Sequence, residues 1–208
     1  MKLLLATGSA HKVVELRRIL AAAGVECAVL GLADLPAYPE PAETGATFEE
    51  NALIKARAGF ERSGLPTLAD DSGLEVDVLN GMPGVRSARW AGGHGADGEN
   101  LALLLRQIDD VPGPRRTARF VCAMALVWAG GEVLQRGVVE GTLATTPRGE
   151  RGFGYDPVFQ PTGFTQTTAE LSDAEKDAIS HRGRALRAMI PAITALAEGG
   201  ESCNSTLI

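Results

Sequence analysis

The sequence predicts an α/β protein built on a mixed sheet, and three observations lead there. In the first third of the chain, short apolar runs alternate with stretches of helical periodicity. Residues 116–128 then form the longest strand candidate, in which, from Phe120 onward, both alternating sets are apolar, as expected of a central strand buried on both faces. Gly130-Gly131 turns that strand back into residues 132–143 as a hairpin. Alternation followed by a long antiparallel hairpin gives a sheet with both kinds of pairing.

Residues 2–6 are an apolar run broken by Thr7-Gly8-Ser9-Ala10-His11-Lys12, after which Val13, Leu16, Leu20 and Ala23 recur at helical spacing and Gly24 stops the helix. Residues 25–30 read as a second strand, followed by a proline-rich loop carrying Asp34, Glu40 and Glu43. Thr47-Phe48-Glu49-Glu50 is a capping box for a helix running to about Ser63-Gly64. Strand signals return at 66–69 and 74–79, with Asp70-Asp71-Ser72-Gly73 read as a turn between them. Residues 81–98 are rich in turn formers, and residues 99–108 place Leu101, Leu104, Leu105 and Ile108 on one side of a short helix. Ser172-Asp173-Ala174-Glu175 is a second capping box; Ser180 caps a last helix over about 182–198, in which Pro191 predicts a kink. Residues 1–198 then form one domain, and 199–208 a patternless tail.

Apolar residues make up 45% of the chain and charged residues 22%, an ordinary soluble-enzyme balance. No apolar run approaches the roughly 20 residues of a membrane span, and no signal segment opens the sequence. The three cysteines, Cys27, Cys122 and Cys203, are far apart and suggest neither a disulfide framework nor a zinc site, so a reducing cytoplasm is expected. The net charge of −6 argues against a nucleic-acid partner, whose binding rests on many basic contacts to phosphate. A small polyanion remains compatible, because a few focused cations reverse the field locally. Only four lysines, Lys2, Lys12, Lys55 and Lys176, stand among 20 basic residues, which leans toward a point-charge role, although chance gives the same pattern easily.

Four segments carry chemistry. The turn at 7–12 joins a strand to a helix N-terminus and offers backbone N–H groups, hydroxyls and Lys12, all suited to phosphate; read alone, it is equally a capped helix with a solvated lysine. Asp70 and Asp71 are adjacent carboxylates at what reads as a strand end, followed by the hydroxyl of Ser72. Mg²⁺, which takes one or two carboxylates plus phosphate oxygens, would offset them; an acidic turn capping its own backbone is the alternative. Gly152-Phe153-Gly154-Tyr155-Asp156 suits a flat ring held between backbone and an aromatic face, or else is a glycine turn with a core aromatic. Lys176, His181 and Arg182 surround the last helix start, where basic groups oppose the helix dipole unless an anion or electron-rich ring offsets them. The histidines lack zinc-ligand spacing, and nothing around Ser72 resembles a nucleophile elbow. These segments suggest a metal-assisted enzyme acting on a nucleotide.

Six ordered stretches spanning almost the whole chain resemble the inosine-triphosphate pyrophosphatase family, hydrolases of deaminated purine nucleoside triphosphates. They are residues 6–12, 44–52, 69–74, 81–89, 152–157 and 179–183. The resemblance implies two lobes on a long mixed β-sheet flanked by helices, an active-site cleft between the lobes, and a homodimer. It implies Mg²⁺-dependent conversion of XTP, ITP or dITP to the monophosphate and pyrophosphate. By the same resemblance Thr7, Gly8, Ser9, Ala10, His11 and Lys12 hold the triphosphate, and Asp71 is general base and metal ligand. Ser72 contacts substrate, while Phe153, Gly154, Tyr155, Asp156, Lys176, His181 and Arg182 surround base and sugar. Glu43 is chosen as second metal ligand over Glu40. Ser9 stands where the family commonly has Asn, which keeps one donor and loses the second amide contact. A pyrophosphatase for other modified nucleotides and a non-catalytic nucleotide sensor are the competing readings.

Overall fold

The computed structural model describes residues 1–36, 39–93 and 95–199, with the side chains of all but Ala10 and His11. Of the expected tail at 199–208, residues 200–208, like His94, lie outside the described residues, while Gly199 is the last residue of the final helix instead.

Six strands form one mixed sheet in the order β2-β1-β3-β4-β5-β6. The strands are β1 (Lys2–Leu5), β2 (Ala28–Gly31), β3 (Thr67–Val76), β4 (Thr117–Trp128), β5 (Gly131–Leu143) and β6 (Phe159–Pro161). The helices are α1 (Ala10–Ala22), α2 (Phe48–Ser63), α3 (Asp97–Gln107), α4 (Asp173–Ile179) and α5 (His181–Gly199). β1 lies parallel to both β2 and β3, with Leu4 opposite Leu30 and Thr67. β4 and β5 are neighbours joined by two residues, which only an antiparallel pair permits, and β6 pairs antiparallel with β5. Every residue of β4 from Val121 to Val127 is buried, as its two-sided apolar pattern predicts. β5 spans 13 residues against 12 for β4 and is the longer strand. β6, only three residues long, is too short to display a period and was not expected.

The chain divides into two compact units, one of Met1–Asp71, Ala123–Arg136 and Ala185 onward, the other of Ser72–Cys122 and Gly137–Arg184. In the first, α1 buries Val13, Leu16 and Leu20, and the chain turns at Gly24 with φ +70°. α2 buries Phe48, Asn51, Ala52, Ala56 and Gly59, a stripe at helical spacing. Gly59 brings this helix close to the sheet: a Cβ there would lie 2.7 Å from Thr67 Cγ2 and 3.3 Å from Leu4 Cδ2. Thr47 Oγ1 accepts from Glu50 N–H, but the Glu50 carboxylate accepts from Ala46 N–H, one residue before the position a regular capping box uses.

In the second unit the core gathers Leu74, Val76, Leu104, Ile108, Val139, Leu143, Tyr155, Val158 and Phe159. The Ser172/Glu175 capping box of α4 forms in both directions, and Ser180 Oγ accepts from Gly183 N–H at the start of α5. α5 stays helical through Pro191, so the proline does not end it.

One expectation is overturned. Asp70-Asp71-Ser72-Gly73 is not a turn between two strands; β3 runs unbroken from Thr67 to Val76. Gly73 is there for a close approach: a Cβ would lie 2.8 Å from the Gly84 carbonyl oxygen and 2.8 Å from Ser87 Cβ. Ser87 Oγ sits against this point, accepting from Leu74 N–H at 2.9 Å and donating to Gly84 O at 2.6 Å. Gly73→Ala is therefore expected to destabilise the protein by about 1–3 kcal/mol through overpacking. Gly98→Ala, on α3 with open space around it, is expected to be neutral or stabilising. Denaturant unfolding midpoints of the two variants check this.

Candidate active site

Successive side chains on a strand point to opposite faces, so Asp70 and Asp71 diverge instead of crowding one another. Asp70, 5% exposed, accepts from Lys12 Nζ on both carboxylate oxygens, each at 2.9 Å. Asp71 meets α2: its Oδ2 accepts from Asn51 Nδ2 at 3.0 Å, and its Oδ1 lies 3.4 Å from Lys55 Nζ. Lys55 also donates to Glu43 Oε1 at 2.7 Å. Each carboxylate is thus met by an ammonium, Asp70 by Lys12 and the part-buried Asp71 by Lys55, so positive charge for the acidic pair comes from the chain itself.

Asn51 and Lys55 lie four residues apart on α2 and so share a face. Asn51 is fully buried; while its amide N–H binds Asp71, its Oδ1 accepts from Gly45 N–H at 2.8 Å. It therefore ties the loop that carries Glu43 to the strand that carries Asp71. Burial raises the Asp71 carboxyl above its ordinary pKa and Glu43 adds to the rise, against the opposing pull of Lys55 and Asn51. For Lys55 burial works against the ammonium, but Asp71, Glu43 and Asp70 outweigh it and its pKa is raised.

The turn at 7–9 leads into α1, with Ser9 as N-cap residue and its N–H bonded to Thr7 Oγ1 at 3.2 Å. Gly8 faces the acidic loop: a Cβ on it would be 3.7 Å from Glu40 Oε1. The side chains of Ala10 and His11, both expected to touch phosphate, lie outside the described residues. Glu43 and Asp71 both reach Lys55 Nζ, so two oxygen donors from different segments already converge on one cation. That donor set fits Mg²⁺, which takes one or two carboxylates and leaves its other positions to water and phosphate.

Within the second unit the expected base-and-sugar residues fall into two groups. Asp156 is the hub of one: its Oδ2 accepts from Phe153 N–H at 2.8 Å and Lys176 Nζ at 2.6 Å, and its Oδ1 from Thr168 Oγ1 at 2.8 Å. Lys176 Nζ also stands 5.3 Å from the Phe153 ring centroid, while that ring is 69% exposed. Gly152 cannot carry a side chain, since a Cβ would collide with the Asp156 carboxylate. Tyr155, in contrast, turns into the core, where its hydroxyl donates to Ser87 O at 2.9 Å. Burial, with the Asp97 charge in support, raises its pKa and keeps it a neutral phenol. In the other group, Arg182 Nη2 lies 3.4 Å from Ser72 Oγ, and His181 stacks on Phe120 with centroids 5.1 Å apart and planes at 16°.

Sequence reasoning singled out neither Asn51 nor Lys55 as a site residue, and it passed over Asp97, which accepts from Gly154 N–H at 3.0 Å. The scarcity of lysine was the one available signal for Lys55. Asn51 lies in the 44–52 stretch that resembles the family, but nothing local pointed to Asp71 as its partner, 20 residues away; Asp97 gave no signal, its partner being 57 residues away.

Fold and site together define an α/β protein in which a helix-start turn lies beside a strand whose two oppositely directed carboxylates are each met by a lysine. Residues 3–192 match the model of the Ham1 family, and the chain belongs to that family. A Nocardia farcinica protein named dITP/XTP pyrophosphatase is 59% identical over 96% of this chain and 98% of its own length. A Mycobacterium tuberculosis protein of the same name is 57% identical over 95% and 98%. Among solved structures, a Mycobacterium abscessus nucleoside-triphosphatase (dITP/XTP pyrophosphatase) is 54% identical with a TM-score of 0.80, covering 92% of this chain and all of that one. A HAM1 protein from Coxiella burnetii reaches a TM-score of 0.87 at 39% identity, covering 93% and 98%.

The raised Asp71 pKa fixes the sign of a stability effect. Between the ordinary carboxylate value and the raised one, the folded state holds more protons than the unfolded state, so this group's contribution falls as pH rises through that window. In metal-free buffer, Asp71→Asn should therefore gain melting temperature relative to the parent as pH rises from about 3.5 to 7. Thermal melts of both proteins across that range check it; a constant or shrinking difference contradicts it.

Proposed function

We propose that this chain is a nucleoside-triphosphate pyrophosphatase that, with Mg²⁺ held by Asp71 and Glu43, hydrolyses XTP, ITP and dITP to the monophosphate and pyrophosphate. The observation that carries the reading is the pairing of Asp71 with Asn51 and with Lys55, which also holds Glu43, on one face of β3, and of Asp70 with Lys12 on the other. Its likeness over nearly the whole chain to proteins named dITP/XTP pyrophosphatase supports it. Work in the cytoplasm, as a homodimer, belongs to the same reading.

In the proposed reaction water attacks the α-phosphorus: its oxygen forms the new P–O bond, and its proton passes to Asp71. The bond between the α-phosphorus and the bridging oxygen breaks, and pyrophosphate leaves with the electron pair. A carboxylate with a raised pKa is a better proton acceptor than an ordinary one at neutral pH. Lys55 and Asn51 hold it in place and pull toward its ionised form. Lys12 and the N–H groups at the start of α1 grip the β- and γ-phosphates and stabilise the leaving group. Mg²⁺, when bound, supplies charge neutralisation on the phosphates and polarises the reacting centre.

The exposed Phe153 ring offers a platform for the base, and His181, Arg182 and Lys176 supply donors. Xanthine and hypoxanthine carry a 6-keto acceptor where adenine carries an amine donor, so a fixed donor left facing the wrong base goes unpaired, which is costly.

Pyrophosphate release from ITP, XTP, dITP, ATP, GTP and dTTP with Mg²⁺ tests the reading. A strong preference for the first three is expected; flat or absent activity would turn it toward another nucleotide or a binder without turnover. Asp71→Asn is expected to lower kcat by at least about a hundredfold while nucleotide binding stays measurable. Lys12→Ala is expected to weaken triphosphate binding by roughly tenfold and monophosphate binding much less. Equal effects on both would remove Lys12 from the grip on the outer phosphates.

A further inference from the structure

The segment that carries Phe153 is shaped by carboxylates acting on successive backbone amides. Gly152 and Gly154 both hold positive φ, +79° and +60°, so the chain turns on either side of the aromatic residue. A residue between two glycines has wide conformational freedom unless its amides are tied down. Phe153 N–H is held locally, by the Asp156 carboxylate three residues on. Gly154 N–H is held from far away in sequence, by Asp97 Oδ2 at 3.0 Å.

Asp97 lies in the first turn of α3. A carboxylate there ordinarily serves the exposed N–H groups of its own helix; this one accepts from a loop amide. α3 is a firm base for it, since Leu104 is fully buried and Asn100 Oδ1 accepts from Ala91 N–H at 2.6 Å. The result is a large apolar ring held outward, 69% exposed, where burial would otherwise be favoured. Fixing such a ring in solvent makes physical sense when a flat partner covers it.

We propose that Asp97 is a positioning residue for nucleotide-base binding: by holding Gly154 N–H it presents the Phe153 ring to the base. The inference rests on the reading of Phe153 as the base platform given above. Asp97 touches no reacting atom, so its removal affects binding of the base and leaves the phosphate chemistry intact.

The experiment compares Asp97→Ala, Asp97→Asn, Phe153→Ala and the Phe153→Ala/Asp97→Ala double variant. Asn keeps an acceptor oxygen for Gly154 N–H and loses the charge; Ala loses both, so the pair of variants separates the hydrogen bond from any effect of charge on α3. ITP and inorganic tripolyphosphate, which has no base, are the ligands, with Mg²⁺ present; Kd, KM and kcat are the readouts, and melting temperature is the control for folding. Asp97→Ala is expected to raise Kd and KM for ITP roughly five- to tenfold, with kcat within about twofold and tripolyphosphate affinity unchanged. Asp97→Asn should stay near the parent, and the double variant should bind ITP no worse than Phe153→Ala alone. Equal losses for ITP and tripolyphosphate, additive effects in the double variant, or an Asn variant as poor as the Ala one would overturn the role of Asp97 and leave the platform reading standing. An unchanged ITP affinity in Phe153→Ala, or no ITP binding by the unsubstituted protein, would defeat the platform reading, and the role of Asp97 with it.

Discussion

The opposed directions of neighbouring side chains on β3 are the constraint on which the rest of the site depends. Two carboxylates on one face at adjacent positions would repel each other in a poorly solvated place, and one would take up a proton. Strand alternation sends Asp70 toward α1 and Asp71 toward α2, and each helix delivers a lysine to meet its carboxylate. The helices are thereby tied to the strand by charge as well as by apolar packing. Asn51 extends the tie to Gly45, on the segment that follows Glu43.

The second unit solves a related problem with one backbone and two side-chain donors. Asp156 collects an amide, an ammonium and a hydroxyl, so its buried charge is fully occupied. Ser87 links this region back to β3, because its hydroxyl takes Leu74 N–H while its carbonyl takes the Tyr155 hydroxyl. Tyr155 thus anchors the loop to Ser87, two residues along the chain from the exposed aromatic at 153.

Much of the fold was legible because its signals are local. The two-sided apolar run of β4, the Gly130-Gly131 turn, the Thr47 and Ser172 caps and the stop at Gly24 each lie within a few residues of the structure they specify. What sequence reading misjudged depended on distant partners. Asp-Asp-Ser-Gly has turn composition, yet Ser87 and Gly84 close against Gly73 and hold it extended. β6 exists because Gly141 on β5 leaves room for Phe159. At the site, adjacency made Asp70 and Asp71 conspicuous, but nothing in the sequence revealed that they face apart, or that Asn51, Lys55 and Asp97 belong with the residues around them.

The mismatch between β1 and β3 has its own architectural consequence. β1 is four residues long and β3 ten, and their pairing places Leu5 beside Leu68, after which β1 gives way to the turn at 7–9. β3 continues past its shorter neighbour, and the acidic pair occupies the first stretch of that overhang. The space beside it is where α1 begins, so a helix start and two carboxylates become neighbours through strand length alone. A two-residue insertion in β1 would preserve the inward and outward sense of every side chain in the strand and still carry the start of α1 away from Asp70. The ruler that sets this site is therefore the place where the shorter strand stops.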